Sequence, residues 1–138
     1  MKARMTTAIA FKRENPPDDR QALSTPTSER PVDLVHLSRF TLGDETLERE
    51  VLQLFRVQAR LCLERMRQAG DRASFRQAAH TIKGSAQGIG AWAVAAAAQA
   101  IEQLDEAPSS VAAAAAVDRL KAAVDEAVGF IGVLLTKR

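Results

Sequence analysis

The chain has 138 residues, the length of one ordinary domain, and its 19 basic and 17 acidic side chains leave a net charge of +2, too balanced to argue for a nucleic-acid partner. Apolar residues make up 46% of it but aromatics only 4%, so the apolar content is mostly Ala, Leu and Val, which suits packed helices better than a β-sandwich. A single cysteine excludes an internal disulfide, and no stretch reaches the ~18 apolar residues of a membrane span.

Residues 1–30 read as a flexible tail. Asn15-Pro16-Pro17-Asp18-Asp19-Arg20 and Ser24-Thr25-Pro26-Thr27-Ser28 are polar and proline-broken. Four cations (Lys2, Arg4, Lys12, Arg13) precede the first acid, but the apolar run Ala8-Ile9-Ala10-Phe11 is too short for a signal-peptide core. A cytoplasmic protein is expected, and the lone Cys62, set among Leu61, Leu63 and Met66, reads as a buried apolar residue in a reducing compartment.

The domain itself is expected over 31–138. A short first helix over 33–40 places Leu34, Leu37 and Phe40 on one side, and Gly43 breaks it. Asp44 can cap a long second helix reaching residue 69, with an inward stripe of Leu47, Val51, Leu54, Phe55, Leu61, Cys62, Met66 and Ala69. Leu52 and Leu63 then project outward beside Arg49, Arg56, Arg60 and Arg67, a candidate docking face that is apolar at its centre and basic at its edge. Gly70-Asp71 ends that helix and caps a third over 72–87, and Gly88 and Gly90 punctuate the following turn. A fourth helix over 91–105 turns Val94, Ala98 and Ile101 inward and carries Trp92 on the other side, over a helix junction. After Pro108-Ser109-Ser110 a fifth helix shows the stripe Val117, Leu120, Val124, Val128, Ile131 and Leu135. Nothing reads as a strand. The fold class is therefore all-α, an antiparallel four-helix bundle with a short extra N-terminal helix.

The third helix carries the most informative residues. At about 100° per residue, Phe75, Ala79, Ile82, Ala86 and Ile89 fall within about 40° of one direction and define a buried stripe. His80 lies about 140° from Phe75, on a polar strip with Arg76, Lys83, Gly84 and Gln87. A histidine in a helical protein is ordinarily a solvated or packing residue. Here Gly84, one turn further on, costs the helix ~1 kcal/mol relative to Ala and leaves the imidazole unshielded. Lys83 puts an ammonium beside any anionic group attached to His80. An imidazole is also nucleophilic near neutral pH. His36 has Phe40 where His80 has Gly84, and receives no functional role. Two histidines and one cysteine on separate helices offer no metal-ligand spacing, so no metal site is expected.

The run Ala79-His80-Thr81-Ile82-Lys83-Gly84-Ser85-Ala86, followed by Gly90, resembles the signature of histidine-containing phosphotransfer (HPt) domains. The resemblance covers about 100 residues of the chain, from Pro31 onward, and extends to the order of the helices. It implies a stand-alone phosphorelay protein that accepts a phosphoryl group from a receiver-domain aspartate and passes it to another receiver. His80 matches the phosphoacceptor, Lys83 the neutralising cation, and Gly84 the small residue that opens the surface. Ser85 and Gly90 match helix-packing and turn positions, while Arg76 and Gln87 would lie in the phosphate neighbourhood. The expected partners are receiver domains of response regulators or a hybrid sensor kinase, engaged by a monomer without nucleic acid or membrane. No resident cofactor is implied, since the Mg²⁺ would belong to the receiver.

Two other readings stand beside it. In a sensor-kinase phosphoacceptor hairpin an acid normally follows the histidine directly, but here Thr81 does. The chain also lacks a glycine-rich nucleotide-binding segment, so a phosphocarrier without autokinase activity is expected rather than an enzyme. The remaining alternative is an inert helical adaptor that docks receivers with His80 incidental.

Overall fold

The computed structural model describes residues 30–137, so the tail expected over 1–30 lies almost wholly outside the described residues. The compact unit beginning at Pro31 contains five helices: Leu34–Thr41 (α1), Glu45–Gln68 (α2), Arg72–Ile89 (α3), Trp92–Glu102 (α4) and Val111–Lys137 (α5). Among the described residues there is no strand.

Aspartates start the first three helices. Asp33, Asp44 and Asp71 adopt extended backbone, and their carboxylates accept from the amides of His36, Leu47 and Ser74. Ser110 does the same for α5, its hydroxyl accepting from the amide of Ala113. Gly90 terminates α3 at φ +78°, and the next amide, Ala91 N–H, reaches back to the Ala86 carbonyl at 2.8 Å.

Short connections make successive helices antiparallel. α2, α3, α4 and α5 each pack on the next, α5 closes the ring against α2, and α1 lies across α2 and α3. The core runs through Phe55, Met66, Phe75, Ile82, Ile89, Ile101, Leu120, Val124 and Ile131. Alanines at 59, 79, 86, 98, 113, 116 and 127 are all buried, and their small side chains let the helices approach closely. Thr41 donates to the buried Glu48 carboxylate at 3.2 Å and ties α1 to α2.

Several details correct the sequence reading. α2 is rotated relative to the expected stripe. Leu52 and Leu63 are buried, whereas Leu54 and Leu61, expected inside, are exposed together with Val57. Apolar residues surround much of this helix, so its own pattern does not select a face; contacts with α1, α3 and α5 do. The docking face expected around Leu52 and Leu63 is therefore core. Phe40 also points outward, 54% exposed, although it was expected on the inner side of α1 with Leu37. Gly88 remains helical, so α3 runs on to Ile89, and α4 stops at Glu102, short of residue 105.

At one end of the bundle α1, α3 and α4 meet. Asp33 N–H donates to the Gly90 carbonyl at 2.9 Å, and the Asp33 carboxylate also accepts from the indole of Trp92 at 3.1 Å. His36 packs edge-on to Trp92, with ring centroids 4.8 Å apart, and its Nε2 lies 2.8 Å from the Gln87 carbonyl. Trp92 covers this junction, as its position on α4 implied.

Candidate functional site

The polar strip of α3 lies at the seam with α4, and the residue that organises it is Glu102, the last of α4. Its carboxylate sits between two side chains of α3: Oε2 is 2.7 Å from His80 Nδ1, and Oε1 is 2.6 Å from Lys83 Nζ. Its backbone carbonyl accepts from Arg76 Nε and Nη2 at 2.9 and 2.6 Å. Arg76, His80 and Lys83 recur at the spacing that shares a helix face, and all three converge on one residue of the neighbouring helix.

Exposure separates their surroundings. The His80 side chain is 63% exposed, while Lys83 and Glu102 are at 22% and 21%. Glu102 Oε1 is closed off from solvent, with the Lys83 ammonium against it. Partial burial would raise the Glu102 carboxyl, but Lys83 and His80 outweigh it and hold the group below its ordinary value of 4.5. Glu102 is therefore ionised near neutral pH, a fixed anion beneath an open imidazole.

Gly84 stands where the sequence put it, exposed one turn beyond His80. A β-carbon built there would meet nothing within 4 Å, so no packing partner requires this glycine. Ser85 faces α2, its hydroxyl donating to Gln58 Oε1 at 2.8 Å. This explains the polar Gln58 in the apolar pattern of α2. Gly90 is held by its positive φ and by Asp33, whose Cβ and carbonyl oxygen would lie 2.8 and 3.0 Å from an added β-carbon. The Gln87 side chain is exposed, but what the structure ties down is its backbone carbonyl, at the His36 junction. Arg76 is likewise engaged with the end of α4, so the expected phosphate neighbourhood contains a guanidinium already holding a carbonyl.

Beside Gly84 an apolar groove of about 280 Å³ runs between α1, α2 and α3, lined by Phe40, Val51, Leu54, Gly84 and Gly88. The exposed Leu54, Val57 and Leu61 continue this apolar surface along α2. Cys62 is buried, and burial pushes its thiol up against the lowering influence of Arg65, so it is not a reactive group. Among the described residues no cluster of three His, Cys, Asp or Glu side chains could hold a metal ion, and no helix is long and apolar enough to cross a membrane.

Glu102 is the site residue that sequence reasoning missed. Two signals pointed to it. The α3 strip carries Arg76, His80 and Lys83 with no acid after Asp71. In an antiparallel hairpin turning at Gly90-Ala91, His80 and Glu102 lie at nearly equal distances from the turn.

Compared with known families, the chain matches the Hpt domain model over residues 50–129, which takes in His80, Lys83, Gly84, Gly90 and Glu102. No curated protein and no solved structure gave a match. The matched span is more than half of the 138 residues, and the chain belongs to the Hpt domain family, whose members take part in phosphorelay signalling.

Proposed function

We propose that this Hpt-domain protein is a phosphocarrier in which His80 accepts a phosphoryl group from the aspartate of one receiver domain and passes it to another. The observation that carries this reading is an exposed imidazole with open space above it at Gly84 and an ion-paired Lys83 at its base. In-line attack requires that the phosphorus approach the ring nitrogen closely, and a side chain at position 84 would stand in that path. Lys83 is close enough to the strip to offset charge on the transferred group.

The receiver would dock on the face formed by α1, α2 and α3. The groove beside Gly84 and the apolar surface of Leu54, Val57 and Leu61 adjoin the site, while Arg56 and Arg60 border that surface on the side of α5, where Arg60 pairs with Asp125. An apolar centre with charged edges is the usual anatomy of a transient protein interface. This role places the protein in the cytoplasm with receiver domains or a hybrid sensor kinase as partners, and needs no nucleotide site of its own. The test is phosphotransfer from a labelled receiver to wild type and to His80→Gln. The wild type should take up label and the variant none; equal labelling of the two would end the proposal.

A further inference from the structure

We infer that Leu42, at the turn between α1 and α2, is a docking anchor for the receiver domain, and that its backbone carries strain to hold the side chain out for that contact. This rests on the reading of α1, α2 and α3 as the receiver-docking face and adds a residue that sets how tightly the partner is held.

The turn itself does not ask for a leucine. Leu42 caps the C-terminus of α1 in left-handed backbone, at φ 56° and ψ 31°, and is the one non-glycine residue with positive φ among the described residues. In that region a β-carbon crowds the following carbonyl, so glycine and asparagine are the usual occupants. The shape of the turn is made by main-chain bonds. Leu42 N–H donates to the Arg39 carbonyl at 3.4 Å, Gly43 N–H to Ser38 at 2.9 Å and Asp44 N–H to Thr41 at 3.1 Å. None of them uses the Leu42 side chain. Nor is that side chain packed, since it is 92% exposed, more than any other large apolar residue among the described ones. Backbone strain and an exposed apolar group thus fall on one position, and no burial within the bundle offsets either.

What surrounds Leu42 is the docking face. Phe40, two residues earlier, lines the groove beside Gly84 and lies over Gly88. Gly88 is about 12 Å along α3 from His80 by helical rise. Leu47, in the first turn of α2, is partly exposed and heads the apolar line that continues through Leu54, Val57 and Leu61. An interface of ordinary size covers about 800 Å² on each partner, a patch about 30 Å across. A receiver whose aspartate reaches His80 and whose surface fills the groove therefore also meets the α1–α2 turn. The occupant that fits is an apolar patch on the receiver, beside its phosphoacceptor aspartate.

The strain serves this contact by fixing the leucine in advance. Main-chain bonds hold the turn, so docking orders no loop, and the apolar surface of Leu42 stays in water until the partner covers it. The groups that meet His80 lie on α3 and α4, so Leu42 acts on docking and leaves the acceptor itself unchanged.

The experiment follows transfer from a ³²P-labelled receiver domain against receiver concentration, for wild type, Leu42→Gly, Leu42→Asn and Leu42→Met. It is combined with urea unfolding and with labelling by phosphoramidate, a small donor that requires no receiver docking. Leu42→Gly should raise the urea midpoint by about 0.5 M, because glycine relieves the strain. Leu42→Gly and Leu42→Asn should nevertheless raise KM for the receiver about tenfold, or ~1.4 kcal/mol, with kcat and phosphoramidate labelling as in wild type. Leu42→Met, which keeps the apolar bulk, should hold the wild-type KM. An unchanged KM in Leu42→Gly overturns the inference. So does a lowered urea midpoint, which would make the leucine part of the fold. A dimer seen by sedimentation in wild type and lost in Leu42→Gly would assign the leucine to a second copy of the chain, and overturns it as well. Labelling that persists in His80→Gln, or a wild type that phosphoramidate labels and receivers do not, refutes the phosphocarrier reading instead, and the anchor falls with it.

Discussion

The seam of α3 with α4 around His80 and the junction of α1, α3 and α4 around His36 are built from the same residue types. Each has one histidine, one glycine and one acid, yet they present opposite chemistry. At the junction the partner of His36 Nε2 is a carbonyl, which can only accept, so Nε2 carries the proton. At the seam the partner of His80 Nδ1 is a carboxylate, so the proton sits on the other nitrogen. Gly90 at the junction is in left-handed backbone against Asp33, and Gly84 at the seam stands in open helix surface. A histidine and a glycine therefore mean nothing in isolation; the group facing the ring and the space facing the glycine decide whether they hold the fold or leave it accessible.

Substitutions can break this contrast, and the largest effect belongs to the junction. Gly90→Ala puts a β-carbon against Asp33 in backbone that L-residues resist, and should cost about 3 kcal/mol in urea unfolding. His36→Ala should cost about 1–2 kcal/mol through the lost hydrogen bond and aromatic edge contact, with His80 labelling by phosphoramidate unchanged. Loss of labelling in that variant would merge the two regions into one functional unit. At the seam the sign reverses. Gly84→Ala should stabilise the helix by about 0.5–1 kcal/mol, yet slow transfer from a phosphorylated receiver more than labelling by the small donor. Destabilisation there would mean that this glycine too serves packing.

The smallest effect concerns acid. The Glu102 carboxyl is depressed in the folded protein, so the unfolded state takes up its proton first as pH falls. Its contribution is complete above the ordinary value of 4.5 and drains away below it as pH falls through the folded value. Unfolding measured between neutral pH and pH ~3 should therefore show wild type losing more stability than Glu102→Gln. Parallel curves would mean that Lys83 and His80 do not hold this carboxylate in solution.

Much of the molecule was legible in the sequence because local chemistry set it. Asp33, Asp44, Asp71 and Gly90 mark helix ends that the structure keeps within a residue or two, and the projection of α3 separated the buried Phe75, Ile82 and Ile89 from the exposed His80. What escaped depends on a second helix. The rotation of α2 is invisible in α2 because Leu52, Leu54, Leu61 and Leu63 are interchangeable until neighbours choose among them. Phe40 left its expected inner face to lie over Gly88, where even an added β-carbon would meet the ring only at an ordinary contact distance of 3.9 Å. Glu102 drew no reading from the sequence, since its partners lie on another helix across the turn.

Trp92 has a use apart from packing. The chain contains one tryptophan and no tyrosine, so near-ultraviolet fluorescence excited in the indole comes from a single point. That point is 41% exposed, bonded to Asp33 and set against His36. Its emission therefore reports the seating of α1 on α3 and α4 without any attached dye, while the groups that meet His80 are elsewhere. Release of α1 from this junction would be seen as a change of colour and polarisation.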